Sequence, residues 1–134
     1  MHTSGLVLHD LLAIALAHSA SDLHLATHAP PKMRVQGLMH TLSRPASLPA
    51  NSNESGPALE ALLRQPLTQE ALHQMLQPKM QASTWAQFQQ GQEVDFSFAV
   101  DTLGRFRANA FTHQHGSGVV LRHIPNNMPS LADL

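Results

Sequence analysis

Three arginines in the C-terminal third of the chain have the spacing of a binding site. Arg105 and Arg107 alternate with apolar residues, and Arg122 follows in a second apolar stretch beyond a glycine-containing turn. Because alternate residues of a strand project from the same face, we expect Arg105 and Arg107 to share a face of a sheet. Arg122 joins them if the two stretches form a hairpin. Arginine presents a planar set of donors that fits carboxylate and phosphate, so the pattern predicts an anion site.

The same spacing also fits an ordinary solvent-facing side of a sheet. In that interpretation the arginines form salt bridges with nearby carboxylates, such as Asp95 or Asp101. Exposed pairs of this kind contribute little to stability. The spacing by itself leaves both interpretations open.

The composition limits the partners that the chain can have. It has 134 residues, 8 Lys and Arg, 9 Asp and Glu, and a formal net charge of −1, which is not the basic excess of a general nucleic-acid or anionic-membrane binder. The absence of cysteine excludes disulfides, thiolate metal ligands and a cysteine nucleophile. We therefore expect one soluble, cytoplasmic domain with no nucleic-acid partner.

Ten histidines invite the question of a metal site. The closest pairs are His113 with His115 and His24 with His28. A zinc site needs three or four ligands with supporting hydrogen-bond partners, and none of the recognised ligand spacings occurs here. We expect scattered surface and core histidines and no metal.

Ser21, Asp22 and His24 are residue types of a hydrolase triad, but strand alternation puts Asp22 and His24 on one face and Ser21 on the other. No G-x-S-x-G motif is present. We expect Asp22 instead to tie down the start of the sheet through hydrogen bonds to backbone.

The chain also lacks a G-x-x-x-x-G-K-[ST] loop, so it is not expected to bind or hydrolyse a nucleoside triphosphate by itself.

Hydrophobic periodicity predicts the elements that position these residues. Thr68 is the predicted N-cap of a helix, with Leu67 and Leu72 as a hydrophobic staple, and Pro78 is predicted to open a further helix that carries Trp85 and ends at Gly91. The first helix is predicted over 5–18, strands over 22–26, 32–36, 38–42, 94–100, 105–110 and 119–124, and loops over 43–66 (long and flexible) and 115–118. The predicted fold class is α+β, an antiparallel sheet with helices packed on one face.

An ordered set of short motifs resembles one known family. The motifs are ASDLHL at 20–25, PP at 30–31, RVQG at 34–37, DFSF at 95–98, GRFRANAF at 104–111 and RHIP at 122–125. In this order they resemble the N-terminal domain of the PilT-type pilus retraction ATPases of the secretion-ATPase superfamily. The resemblance extends over nearly the whole chain, and PSLADL at 129–134 is similar to the linker that leads into the ATPase domain of that family.

The resemblance implies a PAS-like domain over 1–125 and a linker over 126–134 toward a RecA-like ATPase domain, which the sequence does not contain. Members of the family form homo-hexamers, bind ATP and Mg between their two domains, and act with inner-membrane platform components of the pilus in twitching motility. The expected location is cytoplasmic, peripheral to the inner membrane. The chain alone should have no cofactor and no ATPase activity.

The resemblance also implies roles for individual residues. Arg107 and Arg122 would contact the phosphates of the nucleotide, with Arg105 as a weaker candidate. His115 occupies a place where relatives often carry arginine, and it would be charged only near or below about pH 6.5. A structural or subunit-contact role is expected for Asp22, His24 and Arg34.

Two other classes of function fit the same sequence. One is a stand-alone PAS-like interaction or regulatory module of a pilus or secretion machine, and the other is a PAS sensor of a small ligand. A reading frame that continues past Leu134 into a Walker A motif would favour the ATPase domain arrangement over a stand-alone module.

Overall fold

The computed structural model describes residues 4–43, 63–113 and 116–125. Within these ranges, six strands form one antiparallel sheet in the order β3-β2-β1-β6-β5-β4. The elements in chain order are α1 (Ser4–Ala17), β1 (Asp22–Ala26), β2 (Lys32–Val35), β3 (Leu38–Thr41), α2 (Gln69–Leu76), a 3-10 turn (Gln77–Lys79), α3 (Ala82–Gln89), β4 (Val94–Val100), β5 (Gly104–His113) and β6 (Gly116–Ile124). The predicted α+β class, with helices on one face of an antiparallel sheet, is confirmed.

Helix α1 supplies the first part of the core. Leu8, Leu11, Leu12 and Ala15 recur at helical spacing and are buried. Strand β1 follows after a short turn and lies in the middle of the sheet, where it pairs with β2 on one side and β6 on the other. The middle of the sheet is thus formed by strands from opposite ends of the sequence.

Helix α2 begins at the predicted cap. The Thr68 hydroxyl accepts a hydrogen bond from the backbone N–H of Ala71 at 3.0 Å, which satisfies one of the otherwise unpaired donors of the first turn. Leu67 and Leu72 flank the cap and are both buried. The capping prediction is confirmed, and the leucines occupy the positions of a hydrophobic staple.

The predicted start of the next helix is wrong. Pro78 lies in the 3-10 turn, and Met80 is extended, with φ −106° and ψ 148°, so the chain leaves the helical conformation before α3 begins at Ala82. The predicted end is confirmed, because Gly91 has a φ of +89° and its N–H donates to the carbonyl of Phe88. Phe88 is buried, as expected for a core residue.

The last strand is longer than predicted. The stretch 115–118 was expected to be a loop, yet β6 begins at Gly116, which pairs with His113. Thr27 holds this end of the strand through hydrogen bonds with the backbone N–H and carbonyl of Ser117, each 3.1 Å long. Gly116 is required there, since its φ is +142° and a Cβ would stand 2.7 Å from the Thr27 side chain.

The core lies between the helices and one face of the sheet. Buried residues on that face of the three neighbouring strands are Leu23, Leu25, Phe106, Ala108, Ala110, Val119 and Leu121. The opposite face, which we call the open face, carries the charged side chains described next. Most of the predicted loop over 43–66, and all of the predicted linker over 126–134, lie outside the described residues.

Candidate functional site

The open face carries a transverse row of charged side chains, which we call the arginine row. Arg34 on β2 is the register partner of Asp22 on β1, and Arg107 on β5 is the register partner of Arg122 on β6. The antiparallel register of β1 against β6 brings Asp22 beside Arg122. The row therefore crosses four neighbouring strands with three arginines and one aspartate.

The aspartate is the buried member of the row. Arg122 Nε donates to Asp22 Oδ1 at 2.9 Å, while Ser21 Oγ donates to Asp22 Oδ2 at 3.2 Å. Arg34 Nε lies 3.7 Å from Asp22 Oδ2. The side chain of Asp22 is 6% exposed and that of Arg122 is 68% exposed. The prediction that Asp22 bonds to backbone is wrong, because its partners among the described residues are side chains.

Arg107 differs from Arg122, its register partner, in its hydrogen bonding. It is exposed and makes no hydrogen bond or ion pair with another described residue. It also lies directly opposite Arg122, and like charges in this position repel one another. Since Asp22 sits beside Arg122 and not beside Arg107, this part of the row keeps an excess of positive charge.

The two arginines border a concave pocket of about 230 Å³ on the open face. Its other lining residues are Asp95, Ala108, Asn109 and Val120. The Asn109 side-chain amide donates to Asp95 Oδ1 at 3.0 Å, so this carboxylate has a partner other than the two arginines. Sites that enclose a whole small-molecule ligand are usually larger, about 300 Å³ or more, so the pocket fits a part of a ligand, such as a phosphate group.

Arg105 lies apart from this pocket. It shares the open face with Arg107, as predicted, but its Nη2 donates to Ser97 Oγ at 3.0 Å and its register partner is Ile124. The structure thus brings Arg107 and Arg122 together and leaves Arg105 at the side.

His24 and Arg34 are not among the residues that line the pocket. Arg34 Nη1 donates to the backbone carbonyl of Gly37 at 3.1 Å. Burial lowers the pKa of His24 below its usual 6.5, with a smaller opposing influence from the Asp22 carboxylate and a further lowering from Arg34. His24 Nε2 is buried and has no hydrogen-bond partner in the described part of the chain. At neutral pH this histidine adds no positive charge to the row.

Two further features concern the described residues alone. No group of three or more metal-ligating side chains occurs among them. Their helices are all too short or too polar to cross a membrane. His115, noted in the sequence for its place in the turn, lies outside the described ranges.

The partnership of Asp22 with Arg122 could not be read from the sequence. Alternation correctly separated polar from apolar faces, but it gave no information on which strand would lie beside β1. The local signal that was available is the single acidic residue at the start of a central apolar strand, which requires a cationic partner if it is buried.

Comparison with known proteins agrees with the motif order. The chain is 31% identical, over 93% of its length, to the type IV pilus retraction ATPase PilT of Pseudomonas aeruginosa, of which it covers 30%. It is 26% identical, over 92% of its length, to the type IV pilus ATPase PilU of the same organism, of which it covers 27%. No protein-family model matches the chain.

Solved structures show the same fold. The crystal structure of the pilus retraction motor PilT with bound ADP matches 93% of the chain with a TM-score of 0.68 and 27% identity, and 31% of that motor is covered. The X-ray structure of the ATPase DotB of Legionella pneumophila matches 96% of the chain with a TM-score of 0.67, and 31% of it is covered. At 18% identity, the second likeness concerns the fold alone.

The chain therefore has the fold of the N-terminal part of the secretion ATPases. Its sequence is similar to the N-terminal region of PilT, so the resemblance that the motifs indicated is confirmed. It spans less than a third of the length of PilT and of PilU.

Proposed function

We propose that this chain is the N-terminal domain of a type IV pilus ATPase and that Arg107 and Arg122 contact the phosphates of ATP. The nucleotide and its Mg are held chiefly by a RecA-like ATPase domain of the same protein. The observation that carries the proposal is the pair of facing arginines beside the pocket, of which Arg122 is hydrogen-bonded to a carboxylate and Arg107 is not bonded to any described one.

The charge distribution supports a phosphate ligand. Two guanidinium groups that face each other across a strand pair are stabilised by an anion placed between them. A phosphate group offers several oxygens to such planar donors, and it suits arginine better than lysine. Arg107 is exposed and without a described partner, so it can turn toward such a group without breaking an existing hydrogen bond.

The shallow pocket supports a shared site. An arginine on an open surface interacts weakly with an anion, because water screens the charge. When a second domain covers the face, water leaves and the same arginines stabilise the developing charge of phosphoryl transfer more strongly. Domain closure would thus depend on the nucleotide, and the isolated chain would not hydrolyse ATP.

The remaining parts of the proposal are carried over from the PilT-type ATPases that the chain resembles. The full protein assembles as a homo-hexamer in the cytoplasm, peripheral to the inner membrane, and works with platform components of the pilus. Arg105 has a secondary role at the edge of the site. The segment 126–134 links the two domains.

The experiment measures ATP hydrolysis by the full-length protein. Arg107→Ala and Arg122→Ala should each lower kcat by roughly 10³-fold, the lower end of the effect of an arginine that stabilises transferred phosphate. Lys32→Ala is the matched control, because Lys32 is an exposed cation on the open face but outside the pocket lining. If both arginine variants keep the rate of the control, the arginine row is scaffold and the proposal is wrong.

A further inference from the structure

We propose that Asp22 is a positioning residue of the phosphate site. Its buried carboxylate holds the Nε edge of Arg122, so that the two terminal nitrogens of the same guanidinium group stay available to the ligand. This inference rests on the proposed function, because it takes Arg122 to be a phosphate contact.

The Asp22 carboxylate lies against the inner edge of Arg122. Asp22 lies on central strand β1, and one of its oxygens, Oδ1, accepts from Arg122 Nε at 2.9 Å. The other oxygen, Oδ2, accepts from Ser21 Oγ at 3.2 Å and has Arg34 Nε at 3.7 Å. The short bond at Oδ1 holds the inner edge of Arg122 against the buried carboxylate, so the position of Asp22 on β1 defines where that edge must lie.

Asp22 and Arg122 differ greatly in how far their side chains are exposed to solvent. The Asp22 side chain is 6% exposed, whereas Arg122 is 68% exposed although its Nε is bonded. The two terminal nitrogens of Arg122 make no hydrogen bond to another described residue. Those nitrogens hold four of the five N–H donors of the group, in a flat fork that matches two phosphate oxygens. The ion pair therefore uses one donor of Arg122 and leaves the fork open.

Arg107 differs from Arg122 because no described residue is bonded to its side chain. A free arginine loses rotamer freedom when it binds a ligand, and this loss weakens binding. Asp22 has already restricted Arg122 before the phosphate arrives, while no described residue restricts Arg107. The site thus combines one arginine of fixed position with one that adapts, and the influence of Asp22 on the site should pass through Arg122 alone.

A double-mutant cycle in the full-length ATPase tests this dependence. Asp22→Asn should lower kcat by up to about a hundredfold, the scale expected when a catalytic contact is misplaced. Arg122→Ala should lower it further, and the double variant should be no slower than Arg122→Ala alone. Losses that multiply in the double variant would show that Asp22 acts independently of Arg122 and would overturn the positioning role.

The cycle separates the two proposals. If Arg122→Ala is slow and Asp22→Asn has the wild-type rate, the positioning role is wrong and the phosphate contact stands. If Arg122→Ala has the wild-type rate, the phosphate contact is wrong and the positioning role falls with it. Ser21→Ala is the control for a general disturbance of the carboxylate, since Ser21 bonds to Asp22 but not to Arg122. It should keep the wild-type rate, and a loss equal to that of Asp22→Asn would contradict the proposal.

A spectroscopic measurement on the 134-residue chain guards against loss of folding. In nitrogen-15 NMR spectra the Nε–H signal of Arg122 should be sharp and protected from exchange with water in the wild type and in Ser21→Ala. In Asp22→Asn the protection should fall at least severalfold, while the backbone amide spectrum stays that of the folded chain. Equal protection in a folded Asp22→Asn variant would mean that Asp22 does not fix Arg122.

Discussion

Strand β5 has two faces that do different work. On the helix-covered face, alternate side chains are buried and packed; these are Phe106, Ala108 and Ala110. On the open face, the intervening side chains are polar; these are Arg105, Arg107 and Asn109. Because one strand supplies both sets, burial of the first set fixes the direction and spacing of the second. The packed face determines stability, and the open face is left to determine what the domain can contact.

The two faces also differ in how far their side chains have partners among the described residues. Side chains on the packed face find their partners within the chain, as Phe106 does by stacking with Phe98 at a centroid distance of 6.0 Å. On the open face, Arg107 and Arg122 face each other, and among the described residues only Arg122 is hydrogen-bonded to a carboxylate, that of Asp22. A fold that tolerates facing cations sacrifices some stability there, which is common where a binding partner supplies the missing charge.

The largest effect on stability should come from the packed face. Phe106 is 2% exposed, and Phe106→Ala should lower the free energy of unfolding of this chain by about 3–5 kcal/mol, through lost burial and a residual cavity. Urea unfolding followed by circular dichroism measures the change. A loss below about 1 kcal/mol would mean that this face is not the core that the packing indicates.

A smaller effect should come from pH, through a histidine beneath the packed face. His73 on α2 contacts the Ser117 hydroxyl at 3.2 Å and packs edge-on against the rings of Trp85 and Phe88. Burial lowers its pKa below the usual 6.5. The unfolded chain therefore binds a proton before the folded chain does, so stability is complete above about pH 6.5 and declines as the pH falls toward the folded pKa.

Urea midpoints at about pH 7.5 and about pH 5.5 measure this decline. His73→Gln should show a shallower decline than the wild type, since His73 no longer titrates, and part of the decline should remain because the pKa of His24 is also lowered. His40→Gln serves as the control, because His40 is exposed on the edge strand β3. An unchanged slope in His73→Gln would exclude His73 as a source of the pH dependence.

The smallest effect on stability should come from the open face. Arg107→Ala should change the free energy of unfolding of the isolated chain by no more than about 0.5 kcal/mol, or raise it slightly by removing repulsion with Arg122. The same urea measurement used for Phe106→Ala gives the comparison directly. A loss as large as that of Phe106→Ala would show that Arg107 holds the fold together, and the distinction between the two faces would fail.

Local patterns predicted much of this fold. The Thr68 cap was predictable because a hydroxyl before a helix satisfies a nearby N–H in any protein. The alternation in β5 was predictable because strand geometry has a period of two. The start of α3 and the start of β6 were not, because Pro78 is compatible with more than one kind of helical turn and the first residues of β6 are held by Thr27, far away in the chain.

For the candidate site, too, some features follow from local sequence patterns and others depend on tertiary structure. The sequence by itself determined that Arg105 and Arg107 share one face and, through the ordered motifs, that Arg107 and Arg122 are the arginines to test. Tertiary structure alone decided that Asp22 anchors Arg122, because the two residues are 100 positions apart and meet only when β1 inserts beside β6. Strand alternation is a local property of the backbone, whereas the choice of neighbouring strand depends on how the whole core packs.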